Sequence, residues 1–357
     1  MKRTALVLVA FSIAGLAKAQ APSQPAAQSA PTAGPAPTGL IVGNGNWFSP
    51  IVADLGKALA FYRDGLGFET MGEPAETTGT APLMNMFGLP PEAKLRYQIA
   101  RPPASRTGVE IIEVSNAGGK ALDRRLQDPG AAMLIVLVRD IDAALVKLKA
   151  VGAPVLTRGG MAMTVSGGAH PARMAVVKDP DGHFVELAQL DPLPETQAPA
   201  TANVIGVRVR LIVDDVDKAM HLYKDALGMS AMLAPTWRDD SGVLAGLGMR
   251  EGQYRAAMLQ VPTTGLVFEP MDFKDIDRKT IHGRIQDPGS TRIQLQVRDV
   301  DAAIAALKQA GGTVQTTGGT SMELPAGPNK IKVAMVRDPN DLFVVLIQAA
   351  PPAAAPK

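Results

Sequence analysis

The stretch Lys178–Gln189, KDPDGHFVELAQ, sets an Asp-Pro-Asp-Gly turn before an apolar run that carries one carboxylate, Glu186. The same phrase returns as RDPNDLFVVLIQ, Arg337–Gln348, with Val345 where the acid stood. A scaffold kept twice and an acid kept once singles out Glu186. Two further stretches carry charge at strand spacing. In GVRVRLIVD, 206–214, Arg208 and Arg210 alternate with Val207, Val209 and Leu211. In TRIQLQVRD, 291–299, Arg292, Gln294, Gln296 and Arg298 alternate with Ile293, Leu295 and Val297. Period-two alternation sends the polar groups to one face of a strand and the apolar groups to the other. A planar guanidinium offers paired donors to a carboxylate or phosphate. The chemistry within reach is therefore anion recognition or carboxylate–guanidinium pairing.

The elements that must position these groups are legible in part. The Asp-Pro-Asp-Gly turn, flanked by Met174–Val177 and Phe184–Leu187, predicts a hairpin whose second strand carries Glu186. Asp54, Asp140, Asp215 and Asp299 each end an apolar strand pattern and stand where a helix N-cap is wanted. Leu55, Ala58, Leu59 and Tyr62 then recur at helical spacing. Gly67, Gly152, Gly228 and Gly311 sit near the helix ends, where a left-handed residue is favoured. Each half of the chain thus reads as strand, helix, strands, twice over.

The halves also repeat each other. RLQDPG (125–130) matches RIQDPG (284–289), and LVRDIDAALVKLKAVGA (137–153) matches QVRDVDAAIAALKQAGG (296–312). Arg125 and Arg284, Asp140 and Asp299, and Asp179 and Asp338 all stand 159 residues apart. Several motifs that keep order and spacing predict two domains of one fold, 40–190 and 203–349. The Asp-Pro-Gly repeat lies between modules, and its Arg and Gln read as structural docking residues. Two Gly-rich segments, TRGGMAMTVSGG and TTGGTSMELPAGPNK, lack phosphate-loop signatures and read as loops over a cleft.

Bulk composition narrows the classes. The chain has 357 residues, 46% hydrophobic, with 36 Lys plus Arg against 34 Asp plus Glu. That near balance gives no electrostatic case for nucleic acid. The absence of cysteine removes disulfides, thiolate metal sites and a Cys nucleophile. Residues 1–19 combine a basic start at Lys2 and Arg3, a short apolar stretch and an Ala-Lys-Ala site, the parts of a secretory signal peptide. Export to the periplasm or exterior is the expectation, with no membrane span left after signal removal. Residues 20–39, 191–202 and 350–357 are rich in Ala and Pro and read as a tether, an interdomain linker and a tail.

The D-L-x-K-A-x-x-F-Y-x-D-x-L-G-F pattern beginning at Asp54 and the DPDGHFVEL pattern ending at Leu187 resemble the vicinal oxygen chelate superfamily. That superfamily includes glyoxalase-type lyases, bleomycin-resistance proteins and extradiol dioxygenases, and the resemblance covers residues 40–349. It implies an α+β fold of two tandem domains, each of two β-α-β-β-β modules with sheets curled around a cleft. It also implies up to four metal ligands, His or Glu, from the first and last strands of the modules. Carried over by position, the first-strand sites are Trp47, Met133, Arg208 and Arg292, none of them a ligand. The last-strand sites are Glu113, Glu186, Glu269 and Val345. No combination, within a domain or across domains, supplies more than two carboxylates or any His. His170, His183, His221 and His282 all lie elsewhere and read as structural or surface residues.

A vestigial metal site is therefore expected, with no cofactor and a divalent metal as the less favoured alternative. Two readings of the basic face stay open. Arg208, Arg210, Arg255 and Arg292 hold an anionic ligand oriented by Gln294, or Arg208 and Arg292 pair with Glu269. The second is preferred because buried charges need partners. In the first domain, Trp47, Tyr97, Met133, Phe87 and Met86 would form a pocket for an apolar ligand or be core. Glu113 and Glu186 would be a carboxylate pair sharing a proton, or be held locally by residues such as Arg96 or Arg173. The favoured function is an exported protein binding a small organic molecule. The alternatives are a metal-dependent lyase, isomerase or dioxygenase using Glu113 and Glu186, and an interaction module of the cell envelope.

Overall fold

The computed structural model describes residues 39–78, 81–105, 107–166, 171–326 and 329–348. The predicted signal peptide, nearly all of the N-terminal tether, His170 and the C-terminal tail lie outside these residues. Four modules follow one another. The first holds β1 (Ile41–Asn44), β2 (Ser49–Val52), α1 (Leu55–Leu59), β3 (Glu69–Thr70), β4 (Ala75–Thr78), α2 (Pro82–Phe87), β5 (Lys94–Arg101) and β6 (Val109–Ser115). The second holds β7 (Ala132–Val138), α3 (Ile141–Ala150), β8 (Met163–Val165), β9 (Ala172–Lys178) and β10 (Phe184–Leu190). The third holds β11 (Val204–Ile212), α4 (Val216–Met220), β12 (Ser230–Leu233), α5 (Ser241–Gly246), β13 (Gln253–Ala256), β14 (Met258–Gln260) and β15 (Val267–Lys274). The fourth holds β16 (Thr291–Val297), α6 (Val300–Gln309), β17 (Thr313–Val314), β18 (Met322–Ala326), β19 (Asn329–Arg337) and β20 (Phe343–Gln348). Helices α1 and α4 each run on as a wider π-helical turn, Ala60–Gly65 and His221–Ala226.

The helices start as the sequence predicts. Asp54, Asp140, Asp215 and Asp299 accept hydrogen bonds from the first-turn N–H groups of α1, α3, α4 and α6. A second cap comes from the last long strand of each module. Glu113, Gln189, Asp272 and Gln348 accept the N–H of Leu55, Ile141, Val216 and Val300 at 2.9–3.0 Å. Two side-chain oxygens thus satisfy donors that a helix start cannot satisfy itself. Gly67, Gly152, Gly228 and Gly311 have φ from 80° to 97°, as the helix ends require. The turn before β10 is closed by Asp179, whose Oδ1 accepts the N–H of Asp181 and of His183.

Strand pairing joins the modules crosswise. One sheet runs β17-β19-β20-β16-β2-β6-β5-β3 and so joins the first module to the fourth. The other runs β12-β14-β15-β11-β7-β10-β9-β8 and joins the second to the third. The seam of the second sheet is antiparallel, from Gly206 opposite Leu137 to Leu211 opposite Ala132. Neither half therefore curls a cleft from its own two modules, and the expectation of one apolar pocket built from the first-domain residues Trp47, Tyr97, Met133, Phe87 and Met86 is corrected. Each cleft draws on both halves.

Strand alternation divides the core in three. Leu134, Val136, Val209, Ile293, Leu295, Val344 and Leu346 face the helices in one cluster with Phe61, Tyr62, Tyr223 and Phe268. Residues one step along, such as Met133, Ile135 and Met271, or Ile112, Val345 and Ile347, face the two clefts. Linker residues 191–202 lie along the surface, where Thr196 Oγ1 donates to the Ile205 carbonyl and Arg139 donates to the Ala198 and Ala202 carbonyls. No helix among the described residues is long and apolar enough to cross a membrane.

Candidate functional site

The cleft of the second sheet is hollow. It encloses a cavity of about 870 Å³ lined by β7, β9, β10, β11, α5, β13 and β15, by Met232–Ala234 and by Pro192–Pro194 of the linker. That volume is in the range of small-molecule sites. Its walls are mainly apolar, with Ile135, Leu137, Met174, Ala188, Met258 and Met271 among them. Its floor is not. Glu186, Glu269, Arg208 and Arg210 meet there.

Register explains the meeting. Glu269 lies beside Arg210 on β15 and β11, and Arg210 lies across the seam from Met133 on β7. Arg210 bridges both acids, donating through Nη1 to Glu186 and through Nη2 to Glu269 Oε2 at 2.9 Å. Arg208 donates to Glu269 Oε1 at 3.3 Å. Met133 Sδ lies 3.7 Å from Arg210 Nη1. Burial pushes the Glu186 carboxyl above its ordinary range, with Arg210 pulling the other way. The two carboxylates hold the Arg210 guanidinium above its usual value against the cost of burial.

The cleft of the first sheet carries a related cluster but is filled. Arg292 Nη2 donates to Glu110, Gln294 Nε2 donates to Glu110 Oε2 at 2.6 Å, and Gln294 Oε1 accepts the Asn46 N–H. The Arg292 guanidinium lies over the Phe87 ring, 5.0 Å from its centre. Burial pulls Arg292 below its ordinary value, and Glu110 opposes this. Tyr97 is pushed up to about 12 by burial and then by the Glu110 charge, with Arg292 opposing. Met84, Met86, Phe87, Leu324, Ile331, Val333, Phe343, Val345 and Ile347 pack the remaining space.

The repeat shows why one cleft is packed and the other hollow. Shifted by the common 159 residues, Phe87, Tyr97, Ile331 and Ile347 fall on Gly246, Ala256, Ala172 and Ala188. Three of the four large side chains belong to the first cleft's core, and Tyr97 packs against it. Ala256, Ala172 and Ala188 line the cavity of the second cleft. Met174 fills the place beside Gly246, while the three alanines leave space.

Several site expectations need correction. Glu113 is not the counterpart of Glu186 and Glu269. It caps α1 and pairs with Arg96 at 3.3 Å, as Asp272 caps α4 and pairs with Arg255 at 2.9 Å. The true counterpart is Glu110, three residues earlier and 159 before Glu269. The repeated spacing in EIIE, ELAQ, EPMD and VLIQ carried that signal. Glu113 and Glu186 consequently lie in different sheets and cannot form one carboxylate pair or ligand set. Arg255 serves Asp215, Asp217 and Asp272 and lies over the Trp237 ring, outside the cavity. Arg292 pairs with Glu110 rather than Glu269, so the four arginines are split between two sheets. Trp47 lines a separate groove of about 360 Å³ with Pro102, Val207 and Leu266. Tyr97 and Met133 fall on opposite clefts.

The donor sets do not suit a divalent cation. In the hollow cleft, a guanidinium already lies between the two carboxylates, and a metal there would face Arg210 at contact distance. The filled cleft offers one carboxylate, one amide and another guanidinium. Among the described residues, no group of three or more His, Cys, Asp or Glu is placed to hold a metal ion. His183 is engaged elsewhere, with Nδ1 2.9 Å from Asp179 Oδ2 and Nε2 3.0 Å from the Ser290 carbonyl.

Comparison with known proteins agrees with this architecture. The family model described as Glyoxalase/Bleomycin resistance protein/Dioxygenase superfamily matches residues 46–187 and 206–342. Among solved structures, glyoxalase I from Zea mays aligns with a TM-score of 0.53 at 19% identity, over 85% of this chain and 92% of that one. A candidate dioxygenase from Bacillus subtilis aligns with a TM-score of 0.51 at 11% identity, over 88% and 87% of the two chains. No curated protein gives a significant sequence match. At such identities the structures speak to fold alone. With both halves matched by the family model, the chain belongs to the glyoxalase/bleomycin resistance protein/dioxygenase superfamily.

Proposed function

We propose that this is an exported protein that binds a small organic molecule in the cavity of the second sheet, without a catalytic metal. One observation carries the reading. At the floor of a large apolar cavity, Arg210 spans Glu186 and Glu269 with one guanidinium. A positive charge is already supplied where a cation-dependent member would need its ion, and both acids are engaged. What remains is shape, apolar surface and a polar floor, the ordinary equipment of a ligand site. Export rests on residues 1–19.

The test copies the filled cleft into the hollow one. Ala188→Ile with Ala256→Tyr restores the large residues found at Ile347 and Tyr97. The neutral dye Nile red should bind the native chain at one saturable site, and the double variant should lose that binding while keeping its circular dichroism. Equal dye binding by both, or no saturable binding by either, would refute the cavity as the site.

A further inference from the structure

The cavity is graded in polarity from floor to rim. Glu186, Glu269 and Arg210 at the bottom are 6%, 5% and 9% exposed. Leu193, Met232 and Leu233, which line the same cavity, are 42%, 54% and 45% exposed. Between them run Ile135, Leu137, Met174, Ala188, Met258 and Met271, with Pro192 and Pro194 at the lip. Charged groups are confined to the inner end apart from Arg238 on the wall. Exposed apolar side chains at a mouth are costly in water unless something covers them.

Two arginines balance two glutamates at the floor, but the guanidinium donors outnumber the bonds the acids accept. Arg210 alone reaches both Glu186 and Glu269. Arg208 is a second cation on Glu269, held through Nη1 at 3.3 Å with 28% of its side chain exposed. A guanidinium has five N–H donors in a planar fork, so Arg208 can turn a second edge to an incoming anion.

We infer that the ligand is a single-chain amphiphile with a monoanionic head, bound head-down against Arg208 with its apolar tail running along the walls to the Leu193–Met232–Leu233 rim. The inference rests on the cavity being the binding site and adds the chemical class and orientation of what enters it.

Isothermal titration with three ten-carbon probes tests it at neutral pH: decanoate, 1-decanol and decyltrimethylammonium, each below its aggregation concentration. The expected order is decanoate at least tenfold tighter than decanol, with the cation weakest. Arg208→Gln should reduce the decanoate preference to near parity while decanol binding stays unchanged. Decanol binding as tightly as decanoate, or the cation binding best, would overturn the anionic head and leave the cavity reading standing. A decanoate preference that survives Arg208→Gln would overturn the role of Arg208. Failure of all three probes to bind while Nile red still binds would overturn the single-chain amphiphile and leave the cavity reading standing. The comparison of probes on the native chain needs no variant to fold.

Discussion

Arg292 is almost fully buried and its one charged partner among the described residues is Glu110, whereas Glu113, three residues on, caps a helix and pairs with a half-exposed Arg96. Removing the two acids should therefore have unequal effects. Glu110→Ala leaves a buried guanidinium without a counter-charge and should cost about 3–5 kcal/mol. Glu113→Ala removes a cap and should cost about 1 kcal/mol. Urea denaturation of both variants checks the ranking, and a larger loss at Glu113 would show that the acids have been assigned the wrong way round. His183 gives a pH prediction. Burial lowers its pKa, but the Asp179 carboxylate and the Ser290 carbonyl more than offset this, so the net shift is upward. A raised folded-state value means stability that is fully present below the unfolded pKa of about 6.5 and is lost as pH rises through the folded value. The stability advantage of the native chain over His183→Gln should shrink as pH rises above the unfolded value of about 6.5. An advantage that grows with pH would contradict the pairing with Asp179.

The helices α2 and α5 pack differently in the two clefts. They are repeats of each other, and each is stapled to its sheet by a threonine. Thr316 Oγ1 donates to the Met86 carbonyl and accepts the Met335 N–H, while Thr157 Oγ1 does the same for Gly246 and Val176. The difference lies at the helix end, where Phe87 stacks on Arg292 and its counterpart is Gly246. Phe87→Ala should cost about 3–5 kcal/mol and open space beside Arg292. Thermal denaturation together with xenon binding to crystals of the variant would read both effects, and a cost under 1 kcal/mol would show the cleft was not packed by that ring. Much at this scale was legible beforehand. The four Asp caps, the Gly stops and the Asp-Pro-Asp-Gly hairpin are local signals, and local hydrogen bonding realises them. The hollow cleft left a trace in the small residues 159 from Tyr97, Ile331 and Ile347, but the sequence expectation sets the pocket around Tyr97 and Phe87, which lie in the filled cleft. The register of the carboxylates was not recovered for the first module. Its sequence between α1 and β5 is two residues longer than the corresponding stretch of the third module, and EIIE offers two glutamates three apart, of which the second, Glu113, passes for the first.

Crosswise pairing is a property of the whole molecule that no local pattern specifies. The seams β7–β11 and β2–β16 join strands far apart in sequence, and alternation alone does not choose a strand's neighbour. Ties within each half run elsewhere. Tyr62 donates to Asp179 and Tyr223 to Asp338, joining first module to second and third to fourth. The intermodule linkers clasp across the halves, with Arg125 pairing with Asp277 and the Lys120 N–H donating to Asp287. Asp128 and Asp287, each gripped by the arginine three before it, are buried in that clasp, so the repeated Arg-x-Gln-Asp motif is structural. A chain of residues 40–190 alone would expose the edges of β2 and β7 and hold only one wall of the cavity. It should self-associate or fail to fold, and mixing it with 203–349 should restore a one-to-one complex that binds Nile red. A stable monomer of either half that binds the dye would contradict the crosswise cleft.

The central claim is that the guanidinium of Arg210, and no metal ion, joins Glu186 to Glu269 at the floor of a ligand cavity. Metal content of the purified chain by plasma mass spectrometry, after incubation with manganese, iron, nickel and zinc in turn, tests it most directly. The account predicts far less than one equivalent of every metal, unchanged in Glu186→Ala. Near-stoichiometric metal that disappears in Glu186→Ala would contradict it and make this cleft a metal centre.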